Sequence, residues 1–348
     1  MLQQTQAKTV IPYWKRWMRE LPTIAAAAKA SLDKIHKLWE GLGYYTRARN
    51  LQKAARQIVA QQRAGSKSRR RRGNESHTKK KSETPHVVSY KFPENFDDVL
   101  ALPGIGRYTA GAICSIAFNQ PVPILDGNVI RVLTRIFGIA ENPREKETNA
   151  WLWKLAGELV GRAVPSSPRR GRDTAPYHSF LNQSLMELGA LVCTPRNPPC
   201  GICPVQKLCV AFQENRVAEL PNLGKREAAT ARRFVAFVAE RNGRFLVRQR
   251  PAGVVNAHLW EFPNVEIFNG EFDPKLAAKS ILGIKPSSIK LLCTIKHSLT
   301  RYRITLEAFR VKLGRTSPGI WKTPAQMRQL AFSSAHKKIL NGLLAVPK

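Results

Sequence analysis

Residues Leu102 to Asn128, LPGIGRYTAGAICSIAFNQPVPILDGN, decide the reading of this chain. The stretch opens on Leu102-Pro103-Gly104-Ile105-Gly106, a turn with almost no side-chain bulk. Gly104 and Gly106 can take φ > 0 and let the main chain approach a partner closely. A helical run from Arg107 through Ala117 follows at once, so unsatisfied N–H groups and the positive end of a helix dipole meet at the turn. That arrangement suits a phosphate. Twenty residues after Gly106 stands Asp126, a carboxylate among Pro123, Ile124, Leu125, Val129 and Ile130. Taken singly, a G-x-G turn is ordinarily only a turn, and an Asp before Gly only a turn or a cap. A phosphate holder followed by a half-buried acid, in that order, points to chemistry on nucleic acid.

Composition agrees. The 348 residues are enough for two domains, and Lys+Arg 57 against Asp+Glu 24 leaves a formal charge of +33, which calls for a polyanionic partner. A chromatin-packing protein would be as basic, but 43% hydrophobic residues and seven Trp belong to folded domains. No apolar run spans a bilayer and no signal peptide opens the chain, so it reads as intracellular, and clustered cysteines suggest metal rather than disulfides.

Outward from the central stretch, Gln3, Gln4, Thr5 and Gln6 read as the middle of a helix. Ser31 is an N-cap for a helix carrying Leu32, Ile35, Leu38 and Trp39, which Gly41-Leu42-Gly43 ends. Tyr44, flanked by glycine, is either half-buried packing or an aromatic that stacks on a base. Residues 63–90 read as a basic, disordered insertion able to add salt-sensitive affinity for DNA. Further on, Cys193, Cys200, Cys203 and Cys209, spaced C-x6-C-x2-C-x5-C, form a tetrathiolate metal site for which ligand count alone suggests zinc. Cys114 and Cys293 read as core. A loose polar linker then gives way to alternating strands around the Asn242-Gly243 hairpin turn, and a helix from Ser334 closes a second domain of mixed α and β type.

From MLQQTQ through GLGYYTRARNL, LPGIGRYTAGAI, PILDGNVIRVL and the four-cysteine loop, the chain resembles the MutY-type adenine DNA glycosylases of the endonuclease III-like helix-hairpin-helix superfamily. RQRPAG, HLWEFPN and KHSLTRYRI resemble that family's Nudix-related C-terminal domain. The resemblance implies a mostly α glycosylase fold with an iron–sulfur loop over 1–215, a linker over 216–232, and a smaller α+β, Nudix-like 8-oxoguanine recognition domain over 233–348. It implies a [4Fe-4S] cluster on the four cysteines, a spacing distinct from the ferredoxin ones. The substrate it implies is double-stranded DNA with adenine opposite 8-oxoguanine or guanine, acted on by a monomer with no membrane role, cytoplasmic and nucleoid-associated if the source is bacterial.

Residue by residue, Asp126 matches the carboxylate that stabilises the oxocarbenium-like sugar, and Tyr108 and Asn128 match residues lining that site. Leu102, Gly104, Ile105, Gly106 and Arg107 match the DNA-binding hairpin, and Gln4 and Tyr44 the residues that wedge into the duplex. Where endonuclease III-type enzymes carry an attacking Lys, this chain has Tyr108, so the implied enzyme is monofunctional. Leu299-Thr300-Arg301 stands where the family has Phe-Ser-His, so Thr300 keeps a hydroxyl toward 8-oxoguanine while Arg301 departs. Glu261 and Glu266 do not make a Nudix magnesium box. The family's general acid is a Glu two residues before the Met of MLQQTQ, here residue 1. The expectation is a truncated chain or misassigned start, with a Glu-x-Met-Leu-Gln-Gln in the upstream frame; the alternative is a non-catalytic mispair-binding protein.

Overall fold

The computed structural model describes residues 1–3, 5–72, 90–162, 177–224, 228–268, 272–299, 301–315 and 317–345. The helices are α1 (Ala7–Glu20), α2 (Ile24–Lys29), α3 (Leu32–Trp39), α4 (Thr46–Arg72), α5 (Phe96–Leu100), α6 (Arg107–Phe118), α7 (Gly127–Ile136), α8 (Lys146–Arg162), α9 (Tyr177–Glu187) and α10 (Val210–Gln213). Strands β1 (Thr230–Arg241), β2 (Arg244–Gln249), β3 (Trp260–Glu261) and β4 (Asn264–Ile267) follow, then α11 (Pro274–Leu282), β5 (Ser288–Leu299), β6 (Tyr302–Lys312), β7 (Ile320–Lys322), α12 (Pro324–Gln329) and α13 (Ser334–Ala345). Among the described residues no helix is long and apolar enough to cross a membrane.

Packing divides the chain into two units, Met1–Lys80 with Glu227–Lys348, and Lys81–Arg226. This grouping crosses the chain-order boundaries expected from sequence. In the first unit, Trp17, Ile35, Leu38 and Trp39 form one core with Leu259 and Ala331 from the C-terminal segment. Trp17 and Trp39 meet edge-on at 5.9 Å, a geometry worth about 1 kcal/mol beyond its burial. Polar ties run the same way: Lys37 Nζ donates to Leu330 O at 3.1 Å, and Phe332 N donates to Glu40 Oε1 at 3.0 Å.

The sheet of that unit runs β3-β2-β1-β6-β5, with β4 against β1 and β7 against β2; β1 and β6 are parallel, and the other pairings are antiparallel. Asn242 (φ 50°) and Gly243 (φ 68°) turn β1 into β2, as the dipeptide predicts. Strand alternation sends Ala236 and Val238 toward α13 and Val235, Phe237 and Ala239 toward α11, so both faces are covered. Glu261 is buried between Arg248 (2.8 Å) and Arg250, and Glu266 pairs with Arg232. Both carboxylates are thus committed to arginines.

Two local expectations are corrected. The segment before α1 is not helical: Gln6 is an extended N-cap (φ −63°, ψ 144°) and the helix starts at Ala7. Arg47 ties this segment down: its guanidinium donates to Met1 O (3.0 Å), Gln3 O and Thr5 Oγ1 (3.1 Å), and Thr5 N donates to Leu2 O at 3.2 Å. The basic insertion expected from residue 63 begins later, since α4 continues to Arg72. Ala64, Lys67 and Arg69 to Arg72 are good helix formers and favour its continuation. The rest of that segment, 73–89, lies outside the described residues.

Candidate active site and cysteine loop

In the second unit the turn before α6 closes with Ile105 N donating to Leu102 O at 3.1 Å; Leu102 is buried and Ile105 joins the cluster of Val99, Ala110 and Cys114. Gly104 takes φ +78°, which only glycine adopts freely. Gly106 does not: it is an extended N-cap, and an added Cβ there would meet nothing within 4 Å. Its bareness therefore leaves the front of α6 open to a partner's backbone rather than relieving strain. Gly106 brings no capping side chain to the first N–H groups of α6, which stand at the positive end of its dipole. Arg107 is exposed with its guanidinium 4.1 Å above the Trp153 ring, which holds a cation beside those N–H groups.

Asp126 is the N-cap of α7, with Oδ1 accepting from Asn128 N at 2.9 Å and Val129 N at 2.8 Å. The carboxylate is half-buried and fixed by the helix it caps. Tyr108, also half-buried, donates its hydroxyl to Met186 Sδ at 3.3 Å. Burial, and then the nearby charge of Asp126, push its phenol above the usual range, so it stays a neutral hydroxyl. Tyr108 thus feels the charge of Asp126, and Asp126 is bonded to the backbone of Asn128.

Several residues that sequence reading passed over make this possible. Gly111 lets α6 touch the extended segment before Asp126, where a Cβ would stand 2.4 Å from Pro123 O. Gly189 does the same beneath Asn128, where a Cβ would stand 2.8 Å from Asn128 Cβ. Arg131, buried on α7, donates to Asn128 Oδ1 (2.9 Å), Gly189 O (2.6 Å) and Cys193 O (2.7 Å). One turn on, buried Arg135 donates to Thr194 O (2.8 Å), Leu220 O (2.8 Å) and Cys193 Sγ (3.4 Å). Their spacing on α7 was the available signal, masked because arginine usually reads as surface.

The four cysteines Cys193, Cys200, Cys203 and Cys209 line one cavity, with Val132, Ile136, Leu188 and Phe212 among its apolar walls. Burial, and then the other three thiols, raise Cys200 above the usual thiol range. Among the described residues no three His, Cys, Asp or Glu side chains converge to hold a single metal ion. Cys114 is fully buried and Cys293 packs against the sheet core, both as expected.

In the first unit Tyr44 is 52% exposed with φ 47°, a strained position for an aromatic residue. The Arg47 guanidinium sits 5.6 Å from its ring and 5.5 Å from that of Trp39, while also donating to Leu42 O and Gly43 O. Gln4 and Thr300, the other expected DNA contacts, lie outside the described residues. Arg301 extends over Tyr302, 5.4 Å from its ring.

Residues 1–158 match the family model of the HhH-GPD superfamily base excision DNA repair proteins, and 234–342 that of the NUDIX domain. The adenine DNA glycosylase of Rattus norvegicus is 33% identical over 97% of this chain and 69% of its own length. That of Buchnera aphidicola subsp. Schizaphis graminum is 31% identical over 98% of this chain and 88% of its own. The chain belongs to the adenine DNA glycosylase family. It is a base-excision repair glycosylase that binds DNA, built of a helix-hairpin-helix region and a Nudix-like domain. In this glycosylase α6 starts at the Gly104–Gly106 turn without a capping side chain, and Asp126 caps the helix that follows it.

Proposed function

We propose that this glycosylase hydrolyses the N-glycosidic bond of adenine mispaired with 8-oxoguanine or guanine, and does not cut the strand. The observation that carries the reading is Asp126 held as the cap of α7 beside the neutral hydroxyl of Tyr108. Once the adenine leaves the stack, bond breaking develops positive charge on the sugar. A carboxylate fixed beforehand by two backbone N–H groups stabilises that charge without reorganising. Tyr108 offers no amine, so no Schiff base forms at that position and the product is an abasic site. Asn128, locked by Arg131, lines the same site. Gln4, Tyr44 and Thr300 are assigned to the duplex around the mispair, with the hairpin residues Leu102, Gly104, Ile105, Gly106 and Arg107 on its backbone.

The cysteine cavity supports a [4Fe-4S] cluster over zinc. The thiols share one cavity with apolar walls, and their C-x6-C-x2-C-x5-C spacing is the one the family resemblance ties to such a cluster. Cys193, Cys200, Cys203 and Cys209 would hold the cluster, which when bound supplies a covalent tie across the loop and a one-electron centre. The protein is assigned as a monomer, in the nucleoid if bacterial.

The test is a duplex panel with adenine opposite 8-oxoguanine, guanine, thymine or cytosine. Release of free adenine from the first two, at least tenfold faster than from the others, is expected. Equal rates on all four would reject the mispair assignment.

A further inference from the structure

The geometry points to a second anion site, a groove between α4 and the loop 252–258 that grips the phosphodiester backbone of the bound duplex. This rests on the DNA reading above. The groove is a cavity of about 500 Å³ within the first unit. Thr46, Arg49, Gln52, Lys53 and Arg56 of α4 form one wall and His258 stands on the other, and no carboxylate is among its lining residues. Its cations are directed by neutral acceptors. Arg49 donates to Ala257 O at 3.1 Å and Thr46 Oγ1 at 2.9 Å, and Arg56 to Ala28 O at 3.0 Å. These bonds orient the guanidinium groups and leave their charge uncompensated.

The spacing fits a nucleic-acid strand. At 1.5 Å per residue, Arg49 and Arg56 stand about 10 Å apart along α4, the axial rise of about three phosphates on one strand. The local field is positive as well: His36, buried nearby, is depressed to about 4 by burial and then by the charges of Arg49 and His258. Tyr44 lies two residues before α4 begins, so a strand parted at that aromatic meets this helix face next. A free mononucleotide carries the same phosphate chemistry and is the competing source of ligand.

The full chain is titrated with a duplex bearing adenine opposite 8-oxoguanine across a salt series. Lys53→Gln/Arg56→Gln is compared with a charge-matched pair on exposed positions away from the groove, Lys275→Gln/Lys285→Gln. The groove pair is expected to lower the slope of log affinity against log salt by about 2, because each lost phosphate contact removes about 0.9. The control slope should hold. A groove pair that moves the slope no more than the control overturns the site. Calorimetry with a 5′-phosphorylated mononucleotide supplies the second arm. Tight binding lost in the groove pair, with the duplex slope unchanged, would give the groove to free nucleotide and overturn the backbone assignment. If the unmodified chain binds no duplex, the DNA reading falls together with the groove, an outcome distinct from binding that ignores the variant.

Discussion

Arg131 fastens Asn128 to Cys193: one buried guanidinium donates to the Asn128 side chain at 2.9 Å and to the Cys193 carbonyl at 2.7 Å. The end of α7 that carries Asp126 and the loop that begins with the first cysteine are therefore one mechanical piece. Replacing Arg131 takes the donor from buried Gly189 O and from the half-buried Asn128 Oδ1 and Cys193 O. Arg131→Met is expected to lower unfolding free energy by roughly 2–4 kcal/mol. Bound iron per chain and adenine release should fall together, the first read by absorbance and the second by single turnover. Full iron loading with full activity would disprove the tie.

Gly189→Ala tests the same contact from the other side. The added methyl would stand 2.8 Å from Asn128 Cβ and 3.1 Å from its carbonyl oxygen, too close for packed atoms. A cost of roughly 1–3 kcal/mol is expected from overpacking, with a larger fall in adenine release than in duplex affinity. Thermal unfolding and paired kinetics would show it.

In the first unit, Arg47 holds Met1, Thr5 and Leu42 and sits over Tyr44 with one planar fork. Lysine keeps the charge and cannot reproduce the fork. Arg47→Lys should weaken duplex binding about tenfold while leaving the salt slope unchanged, since a positioning group rather than a phosphate contact is lost. A lowered slope would instead make Arg47 a backbone ligand.

How much of this was legible in sequence follows from how local each feature is. The hairpin turn, the Asp126 cap and the Asn242-Gly243 turn are each set by a few adjacent residues and are present in the structure, and the four cysteines singled out by their spacing line one cavity. What escaped depends on distant partners. Arg131 and Arg135 sit on a helix whose apolar stripe is legible, yet only the fold reveals that carbonyls from residues 189–220 wait for them. Met1, Gln3 and Thr5 are held by Arg47, over forty positions on, and α1–α4 share a core with Leu259 and Ala331 from the far end of the chain. Gly106 shows the converse error: its type was read correctly, and its backbone takes an ordinary extended conformation.

Acid should destabilise the first unit above the ordinary carboxylate range. Burial lowers both His36 and His336 to about 4, with the Arg49 and His258 charges adding at His36. At His336 the neighbouring Glu261 opposes the shift, and Arg250, Arg248 and His297 add to it. Each is neutral in the folded state and takes up a proton near pH 6.5 when unfolded. Their contribution is therefore complete above about pH 6.5 and lost as pH falls toward 4, roughly 2 kcal/mol each by pH 4.5. Urea unfolding at stepped pH should show that decline, and His36→Leu should remove about half of it. An unchanged slope in that variant would show that His36 does not titrate on unfolding.

Asp126→Asn gives the most direct test of the central claim, because asparagine caps a helix as well as aspartate and removes only the charge. The measurement is single-turnover adenine release from a duplex with adenine opposite 8-oxoguanine, with binding followed in parallel. The account predicts free adenine and an uncut strand from the unmodified chain. In Asp126→Asn it predicts release slowed at least about a hundredfold, roughly 3 kcal/mol of transition-state stabilisation, with duplex affinity and Tm within a few-fold and a few degrees of the original. Release that survives the substitution, or a covalent enzyme–DNA adduct trapped by borohydride, would contradict it.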